Sequence, residues 1–225
     1  MILSADFETT TNPEDCRVWA WAVSEVGNPD YFEYGNSLDS FMEYMENSQN
    51  STFYFHNLKF DAEFIFVWLF EHGFKHVVVE KDANGRIKPD SQREETKTFT
   101  TLISDMGQFY AVKIIFEKKG KKTKAVKIYD SLKILPFKVS EIASGFGLPI
   151  SKLKIDYKAD RPIGHQLTQE EIAYIRNDVD IVARALKVLF DQNLPKMTQG
   201  SNALYDYQET VGGRNFQAWF PDTRL

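Results

Sequence analysis

The chain has 225 residues, of which 43% are hydrophobic and 14% aromatic. This is enough to bury the core of one large domain or two small ones. A net charge of −5 excludes the basic composition of a generic nucleic-acid binder, although metal ions and a local groove can still supply positive charge. The single cysteine, Cys16, excludes an internal disulfide and suits a reducing cytoplasm, where we expect the protein to work. We expect no signal peptide and no membrane span, because the required apolar runs are absent.

The first predicted strand carries two carboxylates, Asp6 and Glu8. Because side chains alternate faces along a strand, both acids would lie on one face, with Phe7 on the other. Two carboxylates this close raise each other's pKa unless a cation lies between them, and a hard divalent ion such as Mg²⁺ or Mn²⁺ would fit. The spacing alone is more typical of a strand that ends at a solvated edge.

The strand that carries Asp6 and Glu8 is predicted to be the first of three antiparallel strands. Residues 17–23 and 31–34 are rich in aromatic and β-branched side chains, and a turn at 27–30 joins them. Ser37 then fits a helix N-cap, followed by apolar residues at helical spacing from 38 to 45.

A second junction of strand and helix carries Asp61. Residues 51–55 predict a strand, and apolar residues recur at helical spacing from Phe60 to Phe70. We therefore expect a helix that begins near Asp61. An acid at this place suits a second metal ligand, or it simply complements the helix dipole.

The middle of the chain is predicted to be rich in strands, with a polar loop over residues 81–97. The lysine-rich segment 118–122 is interpreted as the solvated tip of a hairpin, although its lysines could touch phosphate. The predicted strands span residues 77–80, 98–103, 108–117 and 123–130.

The last third of the chain predicts a helix at about 139–147, an irregular segment at 151–164 and then the longest helix. Thr168 and Glu171 have the spacing of a capping box at its start. Tyr174 and Asp178 lie four residues apart, so both lie on one face of this helix. Signals weaken after Pro195. We therefore predict one domain over residues 1–195, and a tail or the start of a connector over residues 196–225.

Four acids near the ends of elements fit the hydrolysis of a phosphodiester by two metal ions. Such sites hold two ions roughly 3.5–4 Å apart and share several carboxylates. A phenol one helical turn from a ligand can orient the attacking water without being a strong base at neutral pH. The alternatives are a half-buried helix tyrosine at Tyr174 and an exposed helix acid at Asp178. The four acids are Asp6, Glu8, Asp61 and Asp178.

Three motifs in order resemble those of the DEDDy exonucleases: D-x-E at Asp6, N-x-x-x-D at Asn57 and Y-x-x-x-D at Tyr174. The sequences around these motifs make the resemblance more specific: DFETTT from Asp6, YFHNLKFD from Tyr54 and YDSL from Tyr129. It is similar to the N-terminal domain of protein-primed family B DNA polymerases of small linear-genome phages. The resemblance covers residue 6 to about residue 191.

This resemblance implies an α/β fold of the ribonuclease H-like (DnaQ-like) type, with a mixed central sheet flanked by helices. It implies a metal-dependent 3′–5′ exonuclease that uses two Mg²⁺ or Mn²⁺ ions, acts on the single-stranded 3′ end of a DNA primer and releases mononucleotides. A terminal protein primer and a polymerase domain are the further implied partners. The D-x-x-S-L-Y-P and D-T-D signatures of that polymerase domain do not occur in these 225 residues. We therefore expect this chain not to polymerise DNA by itself.

The resemblance also implies roles for single residues. Tyr174 would orient the attacking water, Lys152 would contact the scissile phosphate, with Lys154 as its close neighbour, and Tyr157 would support the site. Alternatively, His56 is only a polar neighbour, and Phe60 and Phe64 belong to the core. The implied metal ligands are Asp6, Glu8, Asp61 and Asp178. The implied contacts to the 3′ end are Thr9, Tyr54, His56, Asn57, Phe60, Phe64, Ser131, Leu132 and Tyr157.

Two other functions stay open on the sequence alone. One is an exonuclease of the same DEDDy chemistry that trims RNA. The other is a non-catalytic module that docks DNA or a terminal protein and keeps only a vestigial site. The intact set of acids and Tyr174 argues against the second alternative.

Overall fold

Eight strands form one mixed sheet in the computed structural model, which describes residues 1–78 and 94–221. The order across the sheet is β3-β2-β1-β4-β8-β7-β6-β5. Strands β1, β4 and β8 run parallel at its centre, and β5 and β6 run parallel at one edge. The other four pairs, β1–β2, β2–β3, β6–β7 and β7–β8, are antiparallel. The strands are β1 Ile2–Thr9, β2 Val18–Glu25, β3 Asn28–Gly35, β4 Thr52–Phe55, β5 Lys75–His76, β6 Thr98–Ile103, β7 Phe109–Lys119 and β8 Lys122–Asp130.

Helices cover both faces of this sheet, which confirms the predicted mixed sheet with flanking helices. The core beneath α1 and α2 contains Phe41, Ile65 and Phe53. The opposite core, beneath α3 and α4, contains Ile142 and Ile181. The helices are α1 Leu38–Asn47, α2 Leu58–Glu71, α3 Val139–Gly145, α4 Gln169–Asp191, α5 Gln199–Val211 and α6 Gly213–Trp219.

The alternation of side chains along β1 separates these two cores. Leu3 and Phe7 belong to the core beneath α1 and α2. Asp6 and Glu8 alternate with these residues and face α4. Their partners on β2 are small, with Ala22 opposite Asp6 and Ala20 opposite Glu8. Both alanines are fully buried. Because they project so little, α4 can pack closely over the acidic side chains.

Several predicted boundaries shift in the structure. The turn between β2 and β3 lies at residues 26–27 instead of 27–30, so Pro29 lies inside β3. A proline is tolerated there because β3 is the edge strand. Helix α2 begins at Leu58, before the predicted start near Asp61, and Asp61 lies in its first turn.

The strand predicted at residues 77–80 is wrong for the part that the structure describes. The strand β5 comes earlier, at Lys75–His76, where Lys75 pairs with Thr98 and His76 with Phe99. Residues 77 and 78 follow it without strand structure. Residues 79–80 and most of the predicted loop at 81–97 lie outside the described residues.

The end of the chain is more regular than predicted. Helices α5 and α6 occupy most of the segment that was expected to be a tail or connector. Thr198 caps α5 by accepting a hydrogen bond from the Ser201 N–H, and the buried Asn202 bonds to the backbone of Lys196. Within residues 1–78 and 94–221, no helix combines the length and the apolar composition that a bilayer crossing requires.

Candidate active site

Three of the four predicted metal ligands meet between β1 and α4. Asp6, Glu8 and Asp178 each offer a carboxylate oxygen, and these atoms all lie within 4.8 Å of one another. The strand period brings the first two to one face, and α4 lays Asp178 across them. Glu8 is 8% exposed and Asp178 is 2% exposed. The arrangement therefore concentrates negative charge in a place that water barely reaches.

The acids of this cluster suppress one another's ionisation. Burial, and then the charge of Asp178, raises the pKa of Asp6 to about 7. Burial, followed by the charges of Asp6 and Asp178, raises the pKa of Glu8 to about 8. Lys152 opposes both shifts. A cation placed among these carboxylates would reverse the effect, since an opposite charge favours the ionised form.

Asp61, the fourth predicted ligand, comes from the first turn of α2 and is 3% exposed. Its oxygens do not belong to the cluster in which all ligand atoms lie within 4.8 Å. Burial and then the charge of Asp6 nevertheless raise the pKa of Asp61 well above its usual range. Asp61 is therefore electrostatically coupled to the cluster from the side of α2.

Asp178 shows that this site fits a metal ion. Its Oδ2 accepts a hydrogen bond from Lys152 Nζ at 2.5 Å, whereas its Oδ1 is buried and has no hydrogen-bond partner among the described residues. An unpaired buried carboxylate oxygen is costly, and two further acids beside it increase that cost. A set of carboxylate oxygens is the donor type that Mg²⁺ and Mn²⁺ prefer.

A pair of tyrosines adjoins the cluster. The Tyr174 hydroxyl lies 2.8 Å from the Tyr157 hydroxyl, and Tyr174 is almost fully buried, whereas Tyr157 is half exposed. Burial, and then the charge of Glu8, raises the pKa of Tyr174 well above its usual value. The phenol therefore stays protonated at neutral pH. Lys152, which binds Asp178, also lies 5.5 Å from the centre of the Tyr174 ring.

The 3₁₀ helix at Ser131–Lys133 brings further predicted residues to one wall of the site. His56 Nδ1 lies 3.0 Å from Ser131 Oγ, and Nε2 donates to the Phe137 carbonyl at 2.7 Å. Burial lowers the pKa of His56. Asn57 has a left-handed backbone with φ of 73°, which few non-glycine residues adopt.

Asp130 is a residue of this wall that sequence reasoning missed. It is 2% exposed, and its Oδ1 accepts hydrogen bonds from the Asn57 N–H at 3.1 Å and the Leu132 N–H at 3.0 Å. The same carboxylate therefore stabilises the left-handed Asn57 and the start of the 3₁₀ helix. The YDSL sequence contained a signal for this role, because an aspartate just before a turn commonly accepts a hydrogen bond from the backbone N–H two residues later.

The remaining predicted contacts to a 3′ end lie in different environments. Phe60 is half exposed and packs edge to face on the partly buried Phe64, with ring centres 5.8 Å apart. Thr9 and Leu132 are both half-buried. Tyr54 is buried in the core beneath α3 and α4, so it offers little surface to a bound strand. Its role as a DNA contact stays a prediction.

The family model for "DNA polymerase type B, organellar and viral" matches residues 42–221. The chain belongs to this family. It is 46% identical over 224 residues to the DNA polymerase of Bacillus phage B103 and 43% identical over 222 residues to that of Bacillus phage phi29. These alignments cover 100% and 99% of this chain, respectively, and 36% of each polymerase. The chain therefore spans about a third of the length of these relatives.

Solved structures of a relative agree with this assignment. Phi29 DNA polymerase complexed with single-stranded DNA matches with a TM-score of 0.84 and 42% identity, over 96% of this chain and 36% of that one. Its orthorhombic crystal form matches with a TM-score of 0.85. The ribonuclease H-like exonuclease fold is confirmed. The resemblance to the N-terminal domain of protein-primed family B polymerases is confirmed too.

Proposed function

We propose that this family B polymerase domain is a metal-dependent 3′–5′ exonuclease that shortens single-stranded DNA and releases nucleoside monophosphates. The observation that carries the proposal is the acidic cluster of Asp6, Glu8 and Asp178, in which one buried oxygen of Asp178 has no hydrogen-bond partner within residues 1–78 and 94–221. As the proofreading part of a protein-primed polymerase, it would act on a primer terminus in the cytoplasm of a host cell. A terminal protein is the further partner we propose.

Asp6, Glu8 and Asp178, together with Asp61, would hold two divalent ions. When bound, such ions lower the pKa of a water molecule and stabilise the charge that develops on the phosphate. The residues themselves provide the negative charge and the shape of the site. Their raised pKa values follow from burial and mutual repulsion, so we expect metal binding to release protons near neutral pH.

Tyr174 and Lys152 have complementary parts in the proposed reaction. The Tyr174 phenol keeps its proton, so it can hydrogen-bond and orient a water molecule but does not act as the base. Lys152 remains a cation: burial lowers its pKa, but the hydrogen bond to Asp178 and the charges of Asp178 and Asp6 together outweigh burial and raise the pKa. Its ammonium group can then approach a phosphate oxygen beside the acids.

The exposed rings near the site suit a strand of any sequence. Phe60 and Tyr157 are each half exposed, and a base can stack on an aromatic ring whatever its identity. His56 and Asn57 supply polar groups on the neighbouring wall, and the fully buried Ser131 contacts His56 from behind. We propose that this wall holds the terminal nucleotides through stacking and sugar contacts, as the removal of any mispaired base requires.

The test uses a 5′-labelled single-stranded DNA oligonucleotide with Mg²⁺ or Mn²⁺. We expect a ladder that shortens from the 3′ end, no cleavage in EDTA, and no activity in the double variant Asp6→Ala, Glu8→Ala. A Lys187→Ala variant, which changes an exposed residue of α4, serves as the matched control and should keep full activity.

Other outcomes of this experiment discriminate the alternatives. Faster shortening of an RNA oligonucleotide of the same sequence would assign the domain to RNA trimming. An inactive wild-type chain that also binds no metal by calorimetry would indicate a docking module. Retained activity in the double variant would exclude the acidic cluster as the catalytic centre.

A further inference from the structure

A second buried polar cluster lies beside the tyrosine pair, and the proposed mechanism gives it no role. Arg161 is 6% exposed, and its guanidinium lies over the Trp19 ring, 4.1 Å from the ring centre. Its Nε donates to Glu171 Oε1 at 2.8 Å. Trp19 belongs to the same hydrophobic cluster as Tyr174. Arg161 and Trp19 are therefore packed directly against the helix that carries Tyr174.

The other two nitrogens of Arg161 hold the turn that carries Tyr157. They donate to the carbonyl of Asp156 at 2.9 Å and to that of Ala159 at 3.3 Å. These two carbonyls bracket Tyr157 in the chain. The turn is closed by the Ala159 N–H, which donates to the Asp156 carbonyl at 3.3 Å. A planar fork with several donors is required to reach both carbonyls and the carboxylate together, and lysine does not provide one.

Glu171, at the other end of this ion pair, belongs to the first turn of α4. Its Oε2 accepts from the Thr168 N–H at 2.9 Å and from His165 Nε2 at 2.7 Å. Tyr174 follows three residues later and so lies on the same side of the helix. Arg161 thus connects the turn of Tyr157 to the helical turn before Tyr174.

We propose that Arg161 is a positioning residue for the nuclease reaction, which fixes the Tyr157 hydroxyl at hydrogen-bond distance from the Tyr174 hydroxyl. The inference rests on the proposed function. Tyr157 is half exposed, so its own packing restricts the ring little, and its place depends on the backbone of residues 156–159. Arg161 acts through Tyr157, since among the described residues its side chain donates to Glu171, Asp156 and Ala159 and not to the acidic cluster.

The kinetic test compares Arg161→Lys with the wild-type chain on single-stranded DNA. We expect kcat to fall roughly 10-fold to 100-fold, as small misplacements at catalytic sites do, with KM changed less than about 2-fold. The matched control is Arg176→Lys at a partly exposed position of α4. Arg176 also lies over an aromatic ring, donates to a backbone carbonyl and approaches a carboxylate, but it should leave kcat unchanged.

A double-mutant cycle separates positioning from a general loss of stability. If Arg161 acts through the Tyr157 hydroxyl, Arg161→Lys should cause no further loss of kcat in a Tyr157→Phe background. Losses that multiply in the double variant would overturn the proposal. Equal losses of kcat in Arg161→Lys and Arg176→Lys would overturn it as well.

Amide hydrogen exchange tests whether Arg161 holds the turn at residues 156–159, and this measurement does not depend on nuclease activity. In Arg161→Lys, the amides of Lys158 and Ala159 should exchange at least about 10-fold faster, while those of β7 keep their wild-type rates. Unchanged exchange at residues 158–159 would overturn the proposal even if the wild-type chain proved inactive. An inactive wild-type chain with the expected exchange would instead contradict the proposed function alone.

Discussion

Glu8 and Glu171 are the same residue type, and each is 8% exposed, yet their carboxylates behave in opposite ways. Burial and the neighbouring acids raise the pKa of Glu8 to about 8. Burial also acts to raise the pKa of Glu171, but hydrogen bonds from the Thr168 amide, His165 and Arg161 outweigh it and lower the pKa to about 2. The two side chains have the same exposed fraction, although Glu8 lies deeper among protein atoms, and the pKa is raised in one place and lowered in the other.

The difference lies in the partners. Glu171 has a cation and several donors, as a buried charge requires for stability. Glu8 has Asp6 and Asp178 as neighbours, an arrangement that lowers the stability of the folded chain until a cation binds. Acids with raised pKa values of this kind cluster at functional sites, whereas the cluster at Glu171 holds the backbone in place.

The substitution Glu8→Gln should have the largest effect and tests one side of this comparison. We expect exonuclease activity to fall by about 10³-fold or more, because the site loses a charged ligand. In EDTA at pH 9 the free energy of unfolding should rise by about 1–2 kcal/mol, because a repelled carboxylate has been removed. Denaturant unfolding and the oligonucleotide assay measure the two quantities. A chain that becomes less stable would show that Glu8 supports the fold.

The substitution Glu171→Gln tests the other side. Removing one partner of a buried ion pair leaves Arg161 without its counter-charge, so we expect a loss of about 3 kcal/mol in the free energy of unfolding. The opposite signs expected for two Glu→Gln changes at the same exposed fraction are the central test. If both variants gained stability in EDTA, the view that Glu171 is a structural carboxylate would be wrong.

The free energy of unfolding of the metal-free chain should depend on pH through the acids whose pKa is raised and through Glu171, whose pKa is lowered. Asp6 and Glu8 have raised pKa values, so their contribution to stability is present below their unfolded values near 4 and is lost as the pH rises towards 7 and 8. We expect a loss of about 2 kcal/mol between pH 5 and pH 9 in EDTA. Glu171 has a lowered pKa, so its contribution is lost when the pH falls from 4.5 towards 2.

Mg²⁺ provides the control for this pH profile. At pH 8, added Mg²⁺ should restore the stability of the wild-type chain and should have a smaller effect on Glu8→Gln, because binding to the folded state alone stabilises it. A wild-type profile that is flat between pH 5 and pH 9 in EDTA would contradict the mutual repulsion of Asp6 and Glu8.

The two clusters also differ in how far the sequence predicts them. Alternation along β1 and helical spacing along α4 place Asp6, Glu8 and Asp178 on defined faces, and the resemblance brings them together. The ion pair of Arg161 and Glu171 has no such signal. Glu171 fits the capping box that the structure contains, but its partner comes from an irregular segment that follows no period. Pairing of this kind depends on tertiary packing, which spacing does not encode.

The dependence on tertiary packing also explains other differences between the predicted and the observed structure. Helices α5 and α6 were missed because their apolar residues are few and mostly exposed, so the helical period was weak. Asp130 was missed because its partner, the Asn57 N–H, lies far away in the sequence. Strand β1 and helices α1 and α4 were predicted because each buries a regular set of apolar side chains.

The smallest effect is expected for Lys187→Ala, which removes an ion pair with Asp191 on the same helix as Glu171. Both side chains are largely exposed, at 45% and 60%, so water competes for each charge and salt screens the pair. The free energy of unfolding should change by less than about 0.5 kcal/mol, and the exonuclease rate should stay within about 2-fold. Denaturant unfolding at low and high salt measures this. A loss as large as that of Glu171→Gln would show that any carboxylate pair on α4 stabilises the domain, and burial would no longer explain why Glu171 matters.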